Sequence, residues 1–279
     1  MVSYFVPYYA SGFGTVSSNF PAKVKNTSWE FALNTSNVRS KSLSWTTSIN
    51  LTLPKNTLVS FPDLASSSYA ARLVIGESIN ISRQLHFLGV DPASGQYVYA
   101  DGKGNPTMNP NTTTDLVSTD LNPKYYGGIQ NTFNYKNLSF DFLFQFMNKK
   151  ARNEYFTTTL TGAVGNNQPS YVTNRWQNPG DIAERMLYTT ASSVSFNNSY
   201  LTNDAQFTGA SYIKLRNASL SFKLPESWSK KVLLRTASLF VLGQNLLTFS
   251  NYYGRDPEFN SNNSYPASRT ITFGARLGI

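Results

Sequence analysis

The chain has 279 residues and a formal net charge of +9, yet only 14% of its residues are charged, against about 25% in an average soluble domain. Aromatic residues also make up 14%, with 17 Tyr and 19 Phe. The lack of cysteine excludes a disulfide framework and thiolate metal sites. Lys and Arg are scattered, with no basic run interleaved with aromatics, which argues against nucleic acid as a partner.

No apolar run is long enough for a transmembrane helix. The opening segment MVSYFVPYYASGFG lacks the basic start and sustained apolar stretch of a secretory leader. A protein bound for an outer membrane needs one, so the protein is expected to begin upstream of Met1.

The pattern that recurs along the chain is alternation of apolar and polar residues over strand-length segments. A short stub precedes Pro7. Trp29, Phe31 and Leu33 then alternate with Glu30 and Asn34. Over residues 42–53, Leu43, Trp45, Thr47, Ile49, Leu51 and Leu53 share one face against Ser44, Thr46, Ser48, Asn50 and Thr52. Ile129, Phe133 and Tyr135 oppose Gln130, Thr132 and Asn134. Phe140, Phe142, Phe144 and Phe146 oppose Ser139, Asp141 and Gln145. Between Tyr212 and Leu224 the phase switches from Ile213 and Leu215 to Ala218, Leu220 and Phe222, which predicts a bulge near Asn217. Residues 233–246 alternate poorly. The last segment sets Ile271, Phe273, Ala275 and Leu277 against Thr270, Thr272 and Arg276. Seven segments are long enough to cross a bilayer as strands.

The polar faces carry Ser, Thr, Asn and Gln rather than the Lys and Glu of a soluble sandwich. The Phe140–Phe146 stripe would be an aggregation hazard in water. The pattern therefore predicts an all-β fold, an antiparallel transmembrane β-barrel. Its alternatives are an autonomous small porin-like barrel and a soluble carbohydrate-binding β-sandwich. The connections at 37–41, 136–137 and 225–231 are short, and those at 54–124, 149–209 and 250–266 are long. Outer-membrane barrels place short turns in the periplasm and long loops outside, which puts Ile279 in the periplasm. An open sheet of seven strands leaves two bare edges in lipid, which is not tolerated. Further barrel strands are therefore expected beyond this chain.

Several phrases, in order, resemble the C-terminal third of SusC/RagA-like TonB-linked outer-membrane proteins of Bacteroidetes. They include FPAKVKNTSWEFALNT (residues 20–35), LSWTTSINLTLPKN (43–56), VIGESI (74–79) and FLGVDPASGQYVYAD (87–101). LNPKYYGGIQNTFNYKNLSFDFLFQF (121–146), NRWQNPGD (174–181) and SYIKLRNASLSFKLPESW (211–228) follow. The series closes with GQNLLTFSNYYGRDPEFN (243–260) and YPASRTITFG (265–274). The resemblance implies that residues 1–279 are the C-terminal part of a barrel of roughly 22 strands. Signal peptide, plug domain and early strands would lie outside it. It further implies import of oligosaccharides or peptides across a Gram-negative cell outer membrane. Energy would come from the TonB complex, and a SusD-like surface lipoprotein would cap the barrel.

The sequence departs from that family in two places. The stretch DGKGNPTMN (101–109) has one carboxylate where relatives carry an Asp-rich, calcium-loop-like segment, so an ordinary turn is expected. The chain ends in Ile279 rather than an aromatic residue.

Catalytic chemistry is not expected. The one histidine, His86, has no cysteine or second histidine with which to hold a metal, and no nucleophile motif accompanies it. Asp256 and Glu258, beside Arg255, are expected to form a structural turn rather than a glycosidase pair. No cofactor or metal site is expected. The candidates for substrate contact are loop aromatics, Tyr171, Trp176, Tyr252 and Tyr253. The rival role for aromatics near strand ends is the interfacial belt, expected for Tyr125, Tyr126, Phe249 and Tyr252. Sequencing the DNA upstream of the Met1 codon decides between two outcomes. An open frame that encodes further strands, a plug and a leader makes the chain a piece of a full transporter. A stop codon or authentic start directly upstream rules out transport by this product alone.

Overall fold

In the computed structural model, the described residues are 2–5, 12, 15–18, 21–153, 167, 170–188, 203–229, 231, 233–259 and 265–278. Ile279 lies outside them. Strand β1 (Val2–Phe5) pairs with β2 (Thr15–Ser18) in a two-stranded sheet. This is the stub expected before Pro7.

Seven long strands form the main sheet. They begin with β3 (Lys23–Arg39) and β4 (Leu43–Ser60). The connection after β4 contains β5 (Ile81–Leu85), β6 (Phe87–Val90), β7 (Tyr97–Ala100), β8 (Pro106–Thr107) and β9 (Leu116–Asp120), paired as β5–β9 and β6–β7–β8. The main sheet resumes with β10 (Tyr125–Tyr135) and β11 (Leu138–Asn148). Short strands β12 (Lys150–Arg152) and β13 (Phe207–Gly209) pair with each other. The sheet then continues with β14 (Tyr212–Lys223), β15 (Thr236–Ser250) and β16 (Thr270–Gly278). A single helical turn, α1 (Glu226–Ser229), sits between β14 and β15.

The sheet order is β16-β15-β14-β11-β10-β4-β3, and its neighbouring strands pair antiparallel. Each strand lies beside its sequence neighbours, so the wall is a meander. Among the described residues the long strands form one sheet of seven, in which strands β3 and β16 each pair on one side only.

Register places the apolar residues in rows across the sheet. Leu33, Ile49, Ile129, Phe144, Leu215 and Leu247 are cross-strand neighbours in one row. Trp45, Phe133, Phe140, Leu220, Val241 and Phe273 form another. The rings of Trp45 and Phe133 stack at 5.2 Å, and those of Phe140 and Phe142 lie 5.3 Å apart. On β4 the apolar band runs from Leu43 to Leu53, ten steps or roughly 34 Å of strand. At a tilt of about 40° it rises roughly 26 Å, close to the hydrocarbon thickness that an outer-membrane barrel spans.

One row on this face is polar at its β3 end. Asn131 Oδ1 accepts from Trp45 Nε1 at 2.9 Å and Thr47 Oγ1 at 2.7 Å. Asn37 Nδ2 donates to Thr47 Oγ1 at 2.6 Å, and Asn37 Oδ1 accepts from Thr35 Oγ1 at 2.9 Å. These side chains satisfy one another's hydrogen-bonding groups.

Three sequence irregularities find physical causes. The phase switch on β14 is a bulge at Arg216, where the register of both neighbours jumps from Leu215 to Asn217. The poor alternation on β15 arises opposite that bulge. Asn245 adopts a left-handed φ of 52°, and two residues are spent between Gln244 and Leu247. Strand β4 runs on past Pro54, where the sequence suggested that a loop begins. Pairing with β10 stops at Thr52, so Pro54 needs no donor on that side.

Phe144→Arg, in the middle of the apolar band, is expected to destabilise the intact protein in lipid vesicles by about 2–4 kcal/mol. Ser48→Lys, on the opposite face, is expected to cost less than 1 kcal/mol, as surface changes usually do. Urea unfolding in vesicles measures both, and equal losses would overturn the assignment of the two faces.

Candidate functional site

The face opposite the apolar band is lined by amides and hydroxyls. Asn34, Ser48, Gln130, Asn217, Gln244 and Thr270 fall in one row, interrupted only by Leu143. A second row contains Asn50, Gly128, Gln145, Lys214 and Thr248. Such a surface hydrogen-bonds with water or a polar solute without holding either by charge.

At the end carrying the long connections, an ion network pins the connection between β15 and β16 onto this face. Lys214 Nζ donates to Asp256 Oδ1 at 2.6 Å and to Glu258 Oε2 at 3.1 Å. The bulge residue Arg216 pairs with Glu258 and reaches Gln145 and Asn245. Lys149 Nζ donates to the main-chain oxygen of Glu258 at 2.5 Å. Asp256 Oδ1 also accepts from the Glu258 N–H at 2.9 Å, which closes the turn. The side chains of Lys214 and Asp256 are 4% and 8% exposed, so this pair is buried. Burial pushes the Glu258 carboxyl up, but hydrogen bonds and charges from Arg216 and Lys214 outweigh it and hold the group below its ordinary 4.5. Burial lowers the Lys149 ammonium, and the charges of Glu258 and Asp256 partly restore it.

The four aromatic candidates divide into two pairs. Tyr171 and Tyr253 meet edge-to-face with centroids 6.4 Å apart, and the Arg185 guanidinium lies 4.9 Å from the Tyr171 ring. Tyr253 is 61% exposed. Trp176 and Tyr252 act as anchors. Trp176 Nε1 donates to the Pro92 oxygen at 2.8 Å, and its ring covers Gly95, where a Cβ would collide. The Tyr252 hydroxyl donates to the Arg152 oxygen at 2.5 Å.

The other sequence candidates are structural. His86 Nδ1 lies 2.6 Å from Asp204 Oδ2, and Asp204 Oδ1 accepts from the Phe87 N–H at 2.9 Å, joining two connections. Asp101 Oδ1 accepts from the Lys103 and Asn105 N–H groups, each at 2.8 Å, in a turn with Gly104 at φ 85°. The Asn105 and Lys103 N–H groups hold the Asp101 carboxyl below its ordinary value. Asp256 and Glu258 form the expected turn, and Lys214 and Arg216 pair with them. Tyr125 and Phe249 lie in line with the apolar rows, whereas Tyr126, opposite Thr52, belongs to the polar face.

An apolar band of bilayer height backed by an amide-lined face is the wall of a transmembrane β-barrel. No protein-family model matches the chain. Two proteins of Formosa agariphila, named TonB-dependent receptor P3 and TonB-dependent receptor P26, are each 28% identical to it. The alignments cover 91% and 96% of this chain but 29% and 30% of those proteins. The chain thus spans under a third of the length of the relatives it matches.

The fold matches a portion of the RagAB peptide importer. The open-open state superimposes with a TM-score of 0.77 at 20% identity, over all of this chain and 31% of that one. The closed-closed state gives 0.78 at 22%, over 98% and 31%. The SusC/RagA resemblance drawn from the sequence therefore holds. The homologues are TonB-dependent receptors, which are outer-membrane proteins and not enzymes.

Lys214→Met leaves Asp256 buried without its cation and is expected to cost about 3 kcal/mol. Amide exchange over residues 252–259 of the intact protein should accelerate. Because the Glu258 value is depressed, its contribution is present above pH 4.5 and is lost as pH falls through the lowered value. Exchange protection of this segment, corrected for intrinsic rates, should therefore fall on acidification below pH 4.5. Protection unchanged in Lys214→Met would show that the network does not hold the segment.

Proposed function

We propose that the chain is the C-terminal portion of the barrel of a SusC-like, TonB-dependent outer-membrane transporter that imports oligosaccharides or peptides. The observation that carries this reading is the wall itself, a seven-stranded meander with an apolar band of bilayer height, an amide-lined opposite face and two one-sided edges. In lipid a bare edge is not tolerated, so β3 and β16 pair with barrel strands elsewhere in the protein.

In this arrangement the short turns face the periplasm, the long connections face outward, and β16 descends to a periplasmic C-terminus. The portion described is passive in transport. It supplies wall, lumen lining and surface connections. Gating belongs to a plug domain, and energy enters through a TonB-contacting segment of the same protein. The likeness to the RagAB importer supports a SusD-like surface lipoprotein as the lid.

The test is uptake of labelled oligosaccharide and peptide pools by cells that carry the whole gene. Uptake is expected to stop when either TonB or this gene is deleted, and a surface lipoprotein should co-purify in mild detergent. Uptake that survives loss of TonB would replace this reading with a passive porin.

A further inference from the structure

The polar face carries a second feature, remote from the aromatic candidates, near the tops of β3, β4 and β10. Two adjoining clefts of about 450 Å³ and about 440 Å³ share Pro54, Lys55, Asn56, Asn122 and Pro123 in their walls. The floor of the second is built from polar-face residues of three adjacent strands, among them Asn26, Glu30, Thr52 and Tyr126.

Side-chain amides fix the walls. Asn56 Nδ2 donates to Asn26 Oδ1 at 2.6 Å, while Asn56 Oδ1 accepts from Ser78 Oγ at 3.1 Å and the Ile79 N–H at 2.9 Å. Asn122 Nδ2 donates to Ser78 Oγ at 2.6 Å and Asp120 Oδ1 at 2.9 Å, and Asn122 Oδ1 accepts from Asn80 Nδ2 at 3.2 Å. This network ties the segments at 76–80 and 120–123 to β4. Facing the clefts, the Asn26 amide nitrogen and the hydroxyls of Thr52 and Tyr126 show no hydrogen bond among the described residues. The walls are thus pre-organised and the floor keeps donors and acceptors for a ligand.

We propose that this double cleft is a binding subsite for a neutral oligosaccharide, an assignment that rests on the transporter reading above. Three features select that chemistry. Amides and hydroxyls both donate and accept, as sugar hydroxyls do. Tyr126, Pro54 and Pro123 offer flat apolar faces of the kind that pyranose C–H groups cover. The lining has no net positive charge, because Lys55 and Lys124 are offset by Glu30, Glu77 and Asp120, so nothing draws in an anion. A peptide would look instead for a strand edge or apolar side-chain pockets. Beyond Thr52, where β4 leaves β10, Leu58 pairs with Gly76 and Glu77 and Asn56 Oδ1 accepts from the Ile79 N–H, so the segment at 76–79 occupies that edge. No deep apolar pocket lines the clefts.

The experiment uses the intact transporter, purified as a heat-modifiable barrel. It is screened against an array of neutral oligosaccharides and a library of uncharged peptides of matched length. At least one glycan is expected to bind, with an affinity that changes less than about twofold between low and high salt, as an uncharged ligand requires. Tyr126→Ala and Asn26→Leu, both on the floor, are each expected to weaken that binding roughly tenfold, about 1.4 kcal/mol, while heat-modifiable migration stays normal. Peptide binding lost in these variants, with no glycan bound, would overturn the ligand assignment but leave the transporter standing. Glycan binding undiminished in both variants would overturn the location. A protein that forms no membrane barrel brings down both proposals.

Discussion

In the hydrocarbon of a bilayer no water is present to accept a backbone N–H, so every such group must find its partner inside the sheet. That constraint explains why the chain spends its length on seven neighbouring antiparallel strands. It explains why the long excursions lie at one end of the wall, where water is available. It also sets the composition. A wall between lipid and a wet interior can be apolar on one face and amide-rich on the other, and it needs few charges on either.

The charges that are present work where the constraint is relaxed. Lys149, Lys214 and Arg216 converge with Asp256 and Glu258 at the watery end of the wall. There they hold residues 256–258 of the last connection against the polar face. The β14 bulge is what makes this possible. An extra residue turns Arg216 out of the alternation, toward Gln145, Asn245 and Glu258. A local defect in the ladder becomes the anchor of a loop, a common use of bulges.

Much of the wall was legible in the sequence because alternation is a local property. Leu43 through Leu53, or Phe140 through Phe146, declares its two faces without reference to any other strand. The phase switch after Leu215 located the bulge to within a residue. The site was harder to read. Glu258 gives no sign that its partners lie at positions 214 and 216, and Asn26, Asn56 and Asn122 look like the ordinary Asn richness of the chain. Their meeting depends on the register of three strands and on where the 61–124 excursion returns. The sequence alone does not say which of the adjacent tyrosines, Tyr125 or Tyr126, faces out. Only the pairing with Thr52 settles it.

The meander also has a consequence for how the wall is made. Strands β3 and β4, β10 and β11, and β14 and β15 are joined by short connections, whereas the hairpins are joined to one another by long ones. Closing the 61–124 excursion costs about 3 kcal/mol more than closing a two-residue turn, by the logarithmic growth of loop entropy. Hairpins are therefore the units that form first, on the microsecond scale of such elements. Docking of one preformed hairpin against the next is the slow event, and interruptions between hairpins are the least damaging places to cut the chain.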